Sequence, residues 1–266
     1  MLTLPVGYRT GSGNVMKMTV HGFLVHRDDM PIMEEDLVEG MCNWGTGCKG
    51  HNGGCPPYAP YFDKMRVKSD KLYVIVVEFD MAGAITHSGW WKGVSAPGLY
   101  ILVYADRLTM CYTQRLLKEF EKSRFYTLGL SNCPGCRLKD CTVLEGGRCN
   151  RPEKRRYSME AVGVACHELQ LMLFYNAMPW WYKTPEHMPC RMYRYAGVFA
   201  SSSGLSEDSL DNMLKTFAMS DKSYVELADE LPSYPMETFS IPDNCVDGGM
   251  PYGVYHIPVD KMQKKG

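Results

Sequence analysis

The chain has 266 residues, 45% of them hydrophobic and 22% charged, with a formal net charge of −1. Such values are ordinary for a globular fold, and the near-zero charge argues against nucleic-acid-coating or membrane-surface proteins, which draw affinity from a basic excess. Residues 1–14 are turn-rich without the apolar core of a secretion signal, and no apolar run reaches the roughly 20 residues a bilayer requires.

In chain order, Met16 to His26 alternates as a strand does, and Glu34 to Glu39 reads as a short helix with acidic residues at its start. Residues 41–60 form a loop of Gly, Cys, Pro and Asn. Lys71 to Asp80 is a buried strand of β-branched and aromatic residues, and Gly98 to Ala105 reads as a second strand. Arg107 to Ser123 carries Leu108, Met110, Leu116, Leu117 and Phe120 at helical spacing. Phe125 to Leu130 is a short strand leading into Cys133. Beyond the cysteines, Ser158 is an N-cap candidate for helical segments over Ala161 to Tyr175. Met192 to Ala200 reads as a strand, Asp208 to Met219 as a helix capped by Ser206, and Pro232 to Gly253 as loop. Alternating strands and helices predict an α/β or α+β fold, with a single mixed sheet, flanking helices and cysteine-rich cluster loops. One domain over residues 1–266 is expected, with cluster loops at 41–60 and 131–152.

The chain has eleven cysteines. A cytoplasmic location is expected, where clustered thiols serve as metal ligands in preference to disulfides. Cys133, Cys136, Cys141 and Cys149 follow one another at spacings x2, x4 and x7, with Gly146-Gly147 supplying the dihedrals for a return loop. A thiolate quartet suits an iron–sulfur cluster, and zinc can use the same donors. The spacing matches neither the paired Cys-x2-Cys knuckles of structural zinc ribbons nor the bacterial ferredoxin run. An iron–sulfur cluster of the 4Fe–4S type is therefore the expected cofactor, with zinc as the alternative. Arg137, Lys139 and Arg148 could offset its negative charge. The basic run Lys154-Arg155-Arg156 reads first as a solvated face.

A second element places Cys42, Cys48 and Cys55 in a glycine-rich loop that ends in Cys55-Pro56-Pro57-Tyr58. Three thiols without an obvious fourth define an incompletely ligated site, to which His51 could contribute. An open position of that kind can bind substrate. These cysteines could equally complete the first site, bind zinc, or be free thiols of a structural loop.

The Cys-Pro-Pro-Tyr element, the downstream cluster, Gly146-Gly147-Arg148-Cys149-Asn150-Arg151-Pro152 and Tyr157-Ser158-Met159-Glu160-Ala161-Val162-Gly163 together resemble a family of predicted metal-binding proteins, common in anaerobic bacteria and archaea. Here the cluster spacing is wider than the family's tight form, and Asn150 interrupts a Cys-Arg step. The resemblance covers Met41 to Val164 and implies metal or cluster binding in anaerobic metabolism, without naming a substrate.

Elsewhere, Cys166-His167 opens a helix and reads as core, while Cys111, Cys190 and Cys245 are isolated and expected to be inert. Glu160 reads as a helix-start residue, and the tryptophans near His87 and His187 as packing. No P-loop, Rossmann fingerprint or nucleophile elbow is present. The expected function is a cluster-dependent enzyme, oxidoreductase-like or Lewis-acid, acting on a small molecule. A non-catalytic electron-transfer or cluster-carrier protein and a zinc-stapled binding module are the alternatives. The expected partners are a small-molecule substrate or a redox partner protein, not nucleic acid or membrane, and a homo-oligomer is compatible with the sequence.

Overall fold

A computed structural model describes residues 1–9, 15–41, 53–80, 97–129, 133–136, 141–176, 191–200 and 206–225. The strands are β1 (Leu2–Arg9), β2 (Val15–His26), β3 (Lys71–Asp80), β4 (Tyr126–Gly129), β5 (Tyr157–Ser158), β6 (Arg191–Phe199) and β7 (Tyr224–Val225). The helices are α1 (Glu35–Met41), α2 (Pro97–Lys122), α3 (Cys166–Phe174) and α4 (Glu207–Ser220). All seven strands join one sheet in the order β5-β4-β6-β3-β2-β1-β7, so the fold is mixed α+β. Every pairing is antiparallel except β4 with β5, which is parallel.

Strand β3 lies at the centre, and its unbroken apolar run follows from cover on both faces. Tyr73, Ile75, Val77 and Phe79 enter one core with Leu108, Tyr112, Leu116 and Phe120 of α2 and Leu210, Leu214 and Ala218 of α4. Leu72, Val74 and Val76 enter a second core with Phe62, Met159, Val162, Val164, Cys166 and Leu169. Alternation with period two separates the two sets. Helix α4 starts where Ser206 accepts the Ser209 N–H at 3.2 Å, as its sequence foretold.

Two expectations are corrected. Gly98 to Ala105, read as a strand, forms the first turns of α2, where Pro97 occupies the first helical position and suits it by its fixed φ. The β-branched and aromatic residues there carry only a weak preference, which the long helix overrides. Residues 2–9, read as part of a turn-rich start, form β1, which pairs along its whole length with β2 and sends Val6 and Tyr8 into the first core. The expected loop over Pro232 to Gly253 lies outside the described residues, and no described helix is long and apolar enough to cross a membrane.

A parallel pair needs a crossover, and that crossover is usually a packed helix. Between β4 and β5 it is instead the cysteine segment, in which Val143 is the only buried apolar side chain among the described residues. Among the described residues, this excursion buries little apolar surface of its own.

Candidate metal centre

Strand β4 leads the chain toward Cys133, and Cys133, Cys136, Cys141 and Cys149 are all half-buried. None of the described cysteines is in a disulfide. After Cys141 the chain turns tightly over Thr142–Glu145 and stops at Gly146, whose φ of 79° lies in the left-handed region. Gly147 N–H donates to the Thr142 carbonyl at 2.9 Å, and the Thr142 hydroxyl donates to the Arg148 carbonyl at 2.6 Å. These bonds close the turn after Cys141, and of the predicted glycine pair only Gly146 takes a left-handed φ. Arg151 then donates to the Gly135 carbonyl at 3.1 Å, tying the second half of the segment to the Cys133–Cys136 turn.

One of the four thiols is perturbed by the other three. The Cys136 thiol is pushed up by burial first, then by the charge and hydrogen bond of Cys141, and then by Cys133 and Cys149. Several thiolates this close repel unless a cation lies among them, and a bound metal inverts that preference. Among the described residues, no three His, Cys, Asp or Glu side chains already stand in a metal-holding arrangement. The quartet is therefore gathered but not drawn onto one point. Soft donors, mutual repulsion and a crossover with little apolar burial fit a thiolate-ligated group that would complete the segment's packing.

Of the first cysteine element, Cys42, Cys48 and His51 lie outside the described residues. Cys55 is buried, 7% exposed, and its carbonyl accepts the N–H groups of Tyr58 and Ala59 at 2.8 and 2.9 Å. The end of this loop lies against the quartet. Gly53 N–H donates to Cys141 Sγ at 3.3 Å. The Gly53 carbonyl accepts from Arg155 Nε at 3.0 Å and Nη2 at 2.6 Å, and the Tyr58 carbonyl accepts from the same Nη2 at 2.9 Å. Two elements that are separate in the sequence meet here.

The basic run divides. Lys154 is exposed, as a solvated face requires, but Arg155 grips the first loop and Arg156 is buried against Glu121, with Nε at 2.8 Å and Nη2 at 2.6 Å. Its reading as a solvated face is corrected for both arginines, because backbone carbonyls and a carboxylate satisfy them internally. Sequence reasoning missed these roles. The one available signal was the position of the run, directly between the last cysteine and an edge strand. Arg148 is exposed, whereas Arg137 and Lys139 lie outside the described residues.

Cys166 is buried in the second core, as expected, and Cys111 is exposed. Glu160 opens a short turn over Glu160–Val162 rather than an α-helix, and Ser158 Oγ accepts the Ala161 N–H at 3.1 Å. The Glu160 side chain keeps solvent-accessible surface while protein crowds around it. Burial raises its carboxyl above the usual range, opposed by hydrogen bonds from its own backbone, Ser158 and Cys166. The Cys166 thiol is pushed up by burial and by Glu160. His87, His187, Cys190, Cys245 and the neighbouring tryptophans lie outside the described residues.

The fold is a mixed α+β sheet protein with a thiol-rich crossover between β4 and β5. The chain belongs to the family described as "Predicted metal-binding protein (DUF2284)", whose sequence model matches residues 30–198. That match takes in Cys42, Cys48, Cys55 and the whole quartet. No curated protein and no solved structure matches the chain.

Proposed function

We propose that the chain is a single-domain iron–sulfur protein of anaerobic, cytoplasmic metabolism, with a 4Fe–4S cluster on Cys133, Cys136, Cys141 and Cys149. Cys42, Cys48 and Cys55 supply a second, incompletely ligated site where a small molecule binds, which makes the protein a cluster-dependent enzyme. A redox partner protein would exchange electrons with it. When bound, such a cluster supplies one-electron transfer, or a Lewis-acid position where an iron lacks a protein ligand.

One observation supports the reading: four half-buried cysteines share the crossover between β4 and β5, whose only buried apolar side chain among the described residues is Val143, and the Cys136 thiol is raised by burial and by the other three. The amide N–H directed at Cys141 Sγ is the kind of hydrogen bond that tunes cluster sulfurs. The chain's own residues close the return loop, pin the Cys133–Cys136 turn through Arg151, and bury Cys55 away from bulk water.

The test is metal and acid-labile sulfide analysis of protein purified without oxygen. The reading expects a brown protein with about four irons and four sulfides per chain for each cluster. A colourless protein with stoichiometric zinc and no sulfide would instead establish the zinc-stapled module.

A further inference from the structure

We propose that the end of the first cysteine element, Gly53–Tyr58, and the quartet form one bipartite centre, joined at Gly53 and held by Arg155, so that this segment tunes the group bound by the quartet. This rests on the reading of the quartet as a cluster site. Gly53 is held from both sides. Its N–H donates to Cys141 Sγ at 3.3 Å, and its carbonyl takes two N–H groups of one guanidinium.

The junction is tight at Gly53. A Cβ on Gly53 would stand 3.0 and 3.1 Å from side-chain carbons of Val143 and 3.2 Å from Cys141 Sγ. Arg155 is itself fixed. It lies two residues before Tyr157, the first residue of β5, its guanidinium carbon stands 5.0 Å from the centroid of the Tyr157 ring, and it also holds the Tyr58 carbonyl at 2.9 Å. A continuous path therefore runs from the sheet edge through Arg155 and the Gly53 backbone to a sulfur of the quartet.

Arg155 is a positioning residue, since it touches backbone carbonyls and no thiol. Its planar fork meets two carbonyls at once, which the single ammonium of lysine does not reproduce. A ligated thiolate accepts an N–H bond more strongly than a thiol, so the Gly53 contact gains strength when the quartet is loaded. An amide bond to sulfur and a nearby positive charge each raise the reduction potential of a cluster. The segment Gly53–Tyr58, which carries Cys55, is in this way tied to Cys141.

Arg155→Lys and Arg155→Gln in the full-length protein test this. In anaerobically loaded protein, the midpoint potential followed by spectroelectrochemical titration is expected to fall in both variants, with lysine failing to restore it. In reduced, metal-free protein, mass-spectrometric alkylation is expected to find Cys55 reacting about tenfold faster in both variants, as loss of local protection requires. A wild-type potential or a wild-type Cys55 rate in the glutamine variant would overturn the proposal, as would full restoration by lysine, which would reduce Arg155 to a charge. A wild-type protein that binds no iron would refute the cluster reading instead, and the Cys55 rate would still decide the junction.

Discussion

Gly163 has a φ of +96°, and a Cβ there would enter the ring of Tyr61. Strain and overlap act together, so Gly163→Ala is expected to cost about 1–3 kcal/mol in a urea titration. An unchanged midpoint would show that the turn over Glu160–Val162 is not held against Tyr61. At the neighbouring Glu160, whose side chain is exposed, crowding by surrounding protein still raises the carboxyl, so it keeps its proton longer in the folded chain than in the unfolded one. Folded protein then binds more protons as pH climbs above the ordinary carboxyl value of 4.5, so this group's contribution to stability is present below that pH and is lost as pH rises through the folded value. Relative to wild type, Glu160→Gln should remove part of that decline. Parallel stability–pH curves for the two proteins would contradict the assignment.

At the scale of elements, Glu121 near the end of α2 holds both β4 and the entry to β5. Its carboxylate accepts from Thr127 Oγ1 at 2.6 Å and from Arg156, whose side chain is 6% exposed. Glu121→Ala would strand that guanidinium in the interior, at a cost of about 2–3 kcal/mol in denaturant unfolding. A loss below about 0.5 kcal/mol, the range of an exposed pair, would mean that Arg156 escapes to water. Much of this level was legible in the sequence. The apolar run of β3, the amphipathic half of α2 and the Ser206 cap each carry a local signal strong enough to name the element. The first turns of α2 did not, because Tyr100, Ile101, Val103 and Tyr104 suit a strand equally well. Strand β1 was hidden by Pro5 and Gly7, and β5 and β7 are too short for any periodic signal. At the site, cysteine spacing marked the quartet, but nothing local marks Arg155 as the partner of Gly53, since that contact exists only after the crossover has folded.

For the whole molecule, the seven-stranded sheet and its two cores draw no described side chain from 133–136 or 141–154. Stripping the metal should therefore leave far-UV circular dichroism nearly unchanged while amide exchange accelerates across Cys133–Lys154. Global unfolding on chelation would instead place the centre within the main cooperative unit. The sheet folds by apolar burial, and on the proposed reading a group bound by the thiols would order the crossover.

The central claim is that the crossover thiols hold the metal, and the most direct measurement is the iron content of anaerobically purified Cys133→Ser/Cys141→Ser protein beside wild type. The account predicts loss of the quartet's share, about four irons per chain for one 4Fe–4S cluster, with the sheet's circular dichroism retained. Wild-type iron content in the double variant would contradict it.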